Sequence, residues 1–250
     1  MSTPAKWHGL DTLELFKEFY ARVYQVKKMI MAGAIEWEQI SPEEIAGELS
    51  DREKTELLAA HLKAVLNEQM EYVSANTNAL EFAAYREAAY LMSALADEVF
   101  LLQIQWFGAQ YWNECSIEQG VFSTSYAGND YYRRLDALRR KDVLTNLEKK
   151  QAMIFILSLQ LGFRGKLRGE EEQVSEIRSQ LLSMTGYSGK LNYLFPSAYA
   201  FVRNPDLPQK LEPFAGWNKF LLLTVALYLL ASSLVWWWLS SRFTGELSGL

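Results

Sequence analysis

The 250 residues contain one cysteine, Cys115, and two histidines, His8 and His61. A single cysteine excludes an internal disulfide, and these three residues leave almost nothing to build a zinc or copper site; one made of carboxylates alone stays open. Glycine and proline are scarce as well, at 14 and 6 residues, which argues against collagen-like, linker-rich and many-turned β architectures. Positive charge is in the minority, with 25 Lys and Arg against 30 Asp and Glu. A general nucleic-acid binder is not expected from that balance, because phosphate contacts demand clustered cations. Catalytic signatures are missing too. There is no G-x-S-x-G elbow and no G-x-G-x-x-G loop; Gly165-Lys166 is followed by Leu167 where a phosphate loop needs Ser or Thr, and Gln160 stands at its first glycine position. Cys115 has no histidine near it in sequence and is read as a packing or surface residue, and His61, on a polar-flanked helix, as a surface residue.

What the chain does have is hydrophobic mass: half of its residues are hydrophobic and 22% are charged, so wholesale disorder is excluded. The N-terminus reaches Asp11 and Glu14 without the apolar run of a signal peptide. Phe220–Leu239, by contrast, holds 20 residues without a charge. At ~1.5 Å per residue a helix of that length spans ~30 Å, the thickness of a bilayer's hydrocarbon core. Trp217 precedes the run and Trp236, Trp237 and Trp238 close it, as interfacial anchoring selects. A buried core helix would show a polar stripe, and this run shows none. Arg203, Lys210 and Lys219 before it outnumber Arg242 after it, which points the N-terminal side to the cytoplasm. The expected organisation is a tail-anchored chain. It has a cytoplasmic helical domain over 1–190, a connector over 191–218 with Pro196, Pro205, Pro208 and Pro213, an anchor over 219–241 and a short tail on the far side of the membrane over 242–250.

The body reads as all-α. Leu15, Phe19, Val23, Val26 and Ile30 recur at three- and four-residue steps along one face. Ser41-Pro42-Glu43-Glu44, Ser50-Asp51-Arg52-Glu53 and Thr145-Asn146-Leu147-Glu148 are capping boxes, and Asn78 with Glu81 forms another start. Three acids, Glu170-Glu171-Glu172, favour a helix start after Gly169. These signals place helices at about 11–33, 42–49, 51–74, 79–107, 129–140, 146–162 and 170–185, a bundle of about seven to eight counting short ones, with the strongly apolar 81–106 as the central helix.

One feature is physically odd. Asp97 and Glu98 interrupt the apolar run Ala88–Leu102. Neighbouring side chains point ~100° apart around a helix, so at least one is expected to face a groove or a partner, since a buried carboxylate is costly unless paired. Arg133, Arg134, Arg164 and Arg168 are candidate counterions. An internal ion pair and a docking site both remain open, with an acid/base catalytic pair a distant third. The aromatics Trp106, Phe107, Tyr111 and Trp112 are dense enough to be read as core.

Four segments in order, Ala94-Leu95-Ala96-Asp97-Glu98, Trp106 with Trp112, Ala127-Gly128-Asn129-Asp130-Tyr131-Tyr132 and Leu161-Gly162-Phe163-Arg164-Gly165-Lys166-Leu167-Arg168, resemble the DotU/TssL family (IcmH/DotU). That family forms the inner-membrane subunit of type VI secretion machines, with relatives in type IVB secretion. The resemblance implies a hook-like fold of helical bundles, no catalysis and no cofactor. It also implies assembly with a large IcmF/TssM-like inner-membrane protein and docking of baseplate components such as TssK. It gives structural weight to Trp106, Trp112, Gly128, Gly162, Phe163, Gly165 and Arg168, and a protein-interaction role to Asp97 and Glu98. Small residues Thr224, Ala231 and Ser232 would let neighbouring anchors pack and support self-association. A tail-anchored helical regulator of membranes is the competing class, but its N-W-G-R signature is absent.

Overall fold

The computed structural model describes residues 10–41, 48–124, 127–187 and 232–233. The chain divides into two compact units, Met1–Val202 and Arg203–Leu250. The eight α-helices below belong to the first; of the second, Ser232 and Ser233 are described, both helical and exposed. The described residues contain helices and no strand: α1 Thr12–Ala32, α2 Trp37–Ile40, α3 Asp51–Asn76, α4 Ala79–Glu98, α5 Ile117–Phe122, α6 Ala127–Arg139, α7 Asn146–Gln160 and α8 Glu171–Thr185. Among them none is long and apolar enough to cross a membrane. The apolar run Phe220–Leu239, its flanking tryptophans and the connector 191–218 lie outside the described residues, apart from Ser232 and Ser233.

Helix starts follow local chemistry. Ser50, Asn78 and Thr145 each accept from the backbone N–H three residues on, while Glu53, Glu81 and Glu148 reach back to the cap's own N–H. All five periodic residues of α1 are buried. Around α4 pack α1, α3, α5, α6 and α7, so every residue from Ala88 to Phe100 is buried, as expected of a helix apolar on all sides. α4 and α7 run in the same direction: Leu80 and Ala83 line one groove with Thr145 and Leu147 at their starts, while Glu98 meets Arg164 and Gly165 at their ends. α8 returns antiparallel to α7.

Two expectations need correction, the extent of the central helix and the exposure of His61. The helix expected over 79–107 leaves α-geometry after Glu98, passes through a wide π turn at Val99–Gln103 and becomes extended at Ile104. The Trp106 indole N–H takes up the Phe100 carbonyl at 2.8 Å, offsetting the loss of regular pairing at this helix end. The helix expected over 42–49 falls largely outside the described residues, and Glu48 and Leu49 are not helical. Two short helices, α2 and α5, had no counterpart in the expected pattern, since four and six residues are too few to show a period. His61 is half-buried rather than on the surface, its Nδ1 lying 3.2 Å from the Ile40 carbonyl.

Candidate functional site

The C-terminal end of α4 gathers the segments that carried the family resemblance. Asp97 is 6% exposed and Glu98 4%, so both carboxylates are buried where at least one was expected to face outward. Their divergence around the helix sends them to different elements. Asp97 Oδ1 accepts from the Trp112 indole N–H at 2.8 Å and the Ile117 N–H at 2.8 Å, and Oδ2 accepts from the Glu118 N–H at 2.9 Å. Those two backbone donors are the first of α5, which therefore begins on a borrowed carboxylate as well as on its own Ser116 cap. Glu98 holds the opposite flank. It accepts from the Arg164 and Gly165 N–H groups, both at 2.9 Å, and from the Arg168 guanidinium at 2.7 Å.

The Leu161–Arg168 segment is built to present those donors. α7 ends in a Schellman motif: the Gly162 N–H reaches the Leu159 carbonyl at 3.3 Å and the Phe163 N–H reaches Ser158 at 2.9 Å. Gly162, at φ +102°, takes the backbone reversal that L side chains resist. Phe163 then turns inward and stacks on Tyr131, ring centres 3.9 Å apart. Consecutive N–H groups of Arg164 and Gly165 form an anion-cradling turn, and the anion in it is the chain's own Glu98. At Gly165 (φ +48°) a Cβ would come within 3.1 Å of the Gly128 carbonyl. Tyr132 closes the turn by donating its hydroxyl to the Arg164 carbonyl at 2.6 Å.

Of the four candidate counterions, Arg168 pairs with Glu98 and Arg164 contributes its backbone. The Arg164 guanidinium goes to Glu171 at 2.7 Å. Arg133 and Arg134 bind Asp130 along α6, and Arg134 also pairs with Glu87 and lies over the Tyr90 ring. The aromatic cluster is core around Trp112, which is fully buried and stacked 4.4 Å from Phe100, with Trp106 half-buried at its edge. Gly128 sits in the first turn of α6 with open space where its side chain would be; its carbonyl, abutting Gly165, is what makes the contact.

Burial pushes the Asp97 carboxyl up to about 6, against three N–H donors that favour its charged form. Burial likewise pushes the Cys115 thiol up to about 11, the opposite of what a nucleophile needs. Among the described residues no group of three or more His, Cys, Asp or Glu could hold a metal ion. A residue the sequence did not single out, Glu118, is 4% exposed and accepts from the Tyr90 hydroxyl at 3.0 Å and the Thr124 hydroxyl at 2.7 Å. The S-x-x-Q box at Ser116–Gln119 was the available signal for α5 and hence for Glu118.

Beside this knot lies a cavity of about 340 Å³. Asp97, Glu98, Leu102, Asn113, Glu118 and Gly165 are among its lining residues, and Leu102 is 58% exposed at its side. The arrangement can receive a protruding side chain or short segment, with apolar and acidic walls held in place by hydrogen bonds. It has no activated nucleophile.

No curated protein and no solved structure matches the chain. A family model described as "Type VI secretion system protein DotU" matches residues 45–242. That match covers more than three quarters of the sequence and includes all the segments knotted around Asp97 and Glu98, so the chain belongs to the DotU family of type VI secretion proteins.

Proposed function

We propose that this protein is a non-enzymatic adaptor in the inner-membrane complex of a type VI secretion machine. It would join an IcmF/TssM-like membrane protein to cytoplasmic baseplate components such as TssK. The observation that carries this reading is the family match from 45 to 242, which runs through the helical body and on across the apolar stretch Phe220–Leu239. Its type VI description supports that system over type IVB. In this reading the stretch is a single-pass anchor, with the body in the cytoplasm and the chain's end in the periplasm. Confinement to the membrane raises the effective concentration of weak contacts between membrane complex and baseplate.

The cavity beside Asp97 and Glu98 is the proposed docking point. Each carboxylate already accepts three hydrogen bonds from its own chain. They therefore serve docking by fixing the walls, and the exposed Leu102 offers contact. Affinity purification from solubilised membranes tests this. Leu102→Asp should retain the far-UV circular dichroism spectrum and lose the baseplate partner while keeping the membrane one. Full capture by a folded Leu102→Asp protein would move docking to another surface.

A further inference from the structure

α4 stops without a local reason. Residues 99–106, Val99-Phe100-Leu101-Leu102-Gln103-Ile104-Gln105-Trp106, contain no glycine, proline, asparagine or aspartate, and leucine and glutamine are good helix formers. The stretch nevertheless widens into the π turn at Val99–Gln103 and is extended at Ile104. Tertiary contacts hold it there. The Trp106 indole N–H occupies the Phe100 carbonyl at 2.8 Å, and the Trp106 ring packs edge-on against Phe100, Phe107 and Trp112.

That arrangement leaves polar groups short of partners. Gln103 Nε2 is buried and has no hydrogen-bond partner among the described residues; it lies 3.0 Å from where a Cβ on Gly162 would stand. Among the described residues the backbone N–H groups of Gln105 and Trp106 donate to no carbonyl. A continued α-helix would serve them, because each N–H then reaches the carbonyl four residues back. Ile104 would claim Phe100, while Gln105 and Trp106 would bond to Leu101 and Leu102. The Gln103 amide would turn away from Gly162 with the change of register. Six positions along an α-helix is about 9 Å up the axis and on another face, so the Trp106 indole would have to leave the Phe100 carbonyl. One acceptor therefore has two competing donors, one local and one tertiary.

We propose that residues 99–106 form a two-state element, switching between this π turn and a continued α4, and that the π form is the one that presents the cavity beside Glu98 for docking. Leu101 and Leu102 of the turn line that cavity, so rewinding the turn re-forms one of its walls. The inference rests on the docking reading above and adds regulation to it. A partner seated against Leu102 holds the π form, and the continued helix withholds the site.

Hydrogen exchange on the full chain in detergent solution, read on the peptide spanning 99–107, tests the switch without a partner. Trp106→Phe removes the indole donor and keeps a ring in the aromatic cluster. It should slow exchange of the backbone amides at 105 and 106 by about fivefold, the ratio that one net hydrogen bond carries. A loss of structure would speed exchange, so slowing cannot come from misfolding. Gln105→Pro cannot continue the helix and should leave the amide at 106 exchanging at least as fast as in wild type. Equal or faster exchange at 105 and 106 in a Trp106→Phe protein with wild-type circular dichroism overturns the inference. In affinity purification Trp106→Phe should recover less of the baseplate partner than wild type, and Gln105→Pro at least as much. If both variants capture it fully while Leu102→Asp does not, the regulatory role falls and the docking reading stands. If Leu102→Asp captures it too, the docking reading falls and the regulatory role with it.

Discussion

The two ends of α4 show two ways of finishing a helix. At its start, Asn78 and Glu81 satisfy the free backbone donors from within four residues, and Leu80 beside them stands in solvent. At its finish, Asp97 and Glu98 are buried and bind donors 15 to 70 residues away. The first is a local solution that any helix with this sequence would adopt. The second exists only when α5 and the turn between α7 and α8 are in place, so one pair of residues couples three parts of the fold. The open end is free to meet other surfaces; the closed end maintains the shape of a cavity.

The sharpest way to break this contrast is to remove a carboxylate from the closed end. Glu98→Ala leaves two half-buried N–H groups and a half-exposed guanidinium without their acceptor, and should cost about 2–3 kcal/mol, read as a lower denaturation midpoint. Asp97→Ala should do similar damage through α5. A loss below ~1 kcal/mol for both would mean that water replaces them readily and that the knot does not hold the fold.

Proton uptake sharpens the comparison next. Because burial raises the folded Asp97 pKa to about 6, the folded chain holds this proton more tightly than the unfolded one. The resulting stabilisation is complete below the ordinary carboxylate pKa and is lost as pH rises through about 6. Asp97→Asn should flatten the fall in melting temperature that wild type shows between pH about 4 and 7. An unchanged slope would assign the proton to another group.

Smaller effects belong to the open end. Thr145→Ala removes a cap whose box is complete, and should cost about 1 kcal/mol without changing capture of baseplate. Val143→Ser should alter stability by no more than ~0.5 kcal/mol, since its side chain is exposed; a larger loss would show that the turn is packed.

The legible parts of the fold were those with short-range causes. Ser50, Asn78 and Thr145 announced three helix starts, and the period of Leu15 through Ile30 announced the buried face of α1. The length of α4 was not legible, because Val99–Gln103 is as apolar as the helix before it and nothing in that stretch signals a π turn. Trp106 was seen as an aromatic, not as a donor to the Phe100 carbonyl. Arg134 was as plausible a counterion for the acidic pair as Arg168, because sequence separation does not reveal which guanidinium the packing brings near. Leu161-Gly162-Phe163 was recognised as a pattern; its Schellman geometry supplies the reason.

The sequence alone determined helical content, most of the helix starts, the apolar character of α4 and the presence of two carboxylates that needed partners. Those properties depend on interactions within a turn or two of helix. Which donors the carboxylates would find, and that both would be buried, was decided by tertiary packing. A carboxylate's burial becomes tolerable only when several distant backbone N–H groups converge on it, and convergence is a property of the assembled bundle.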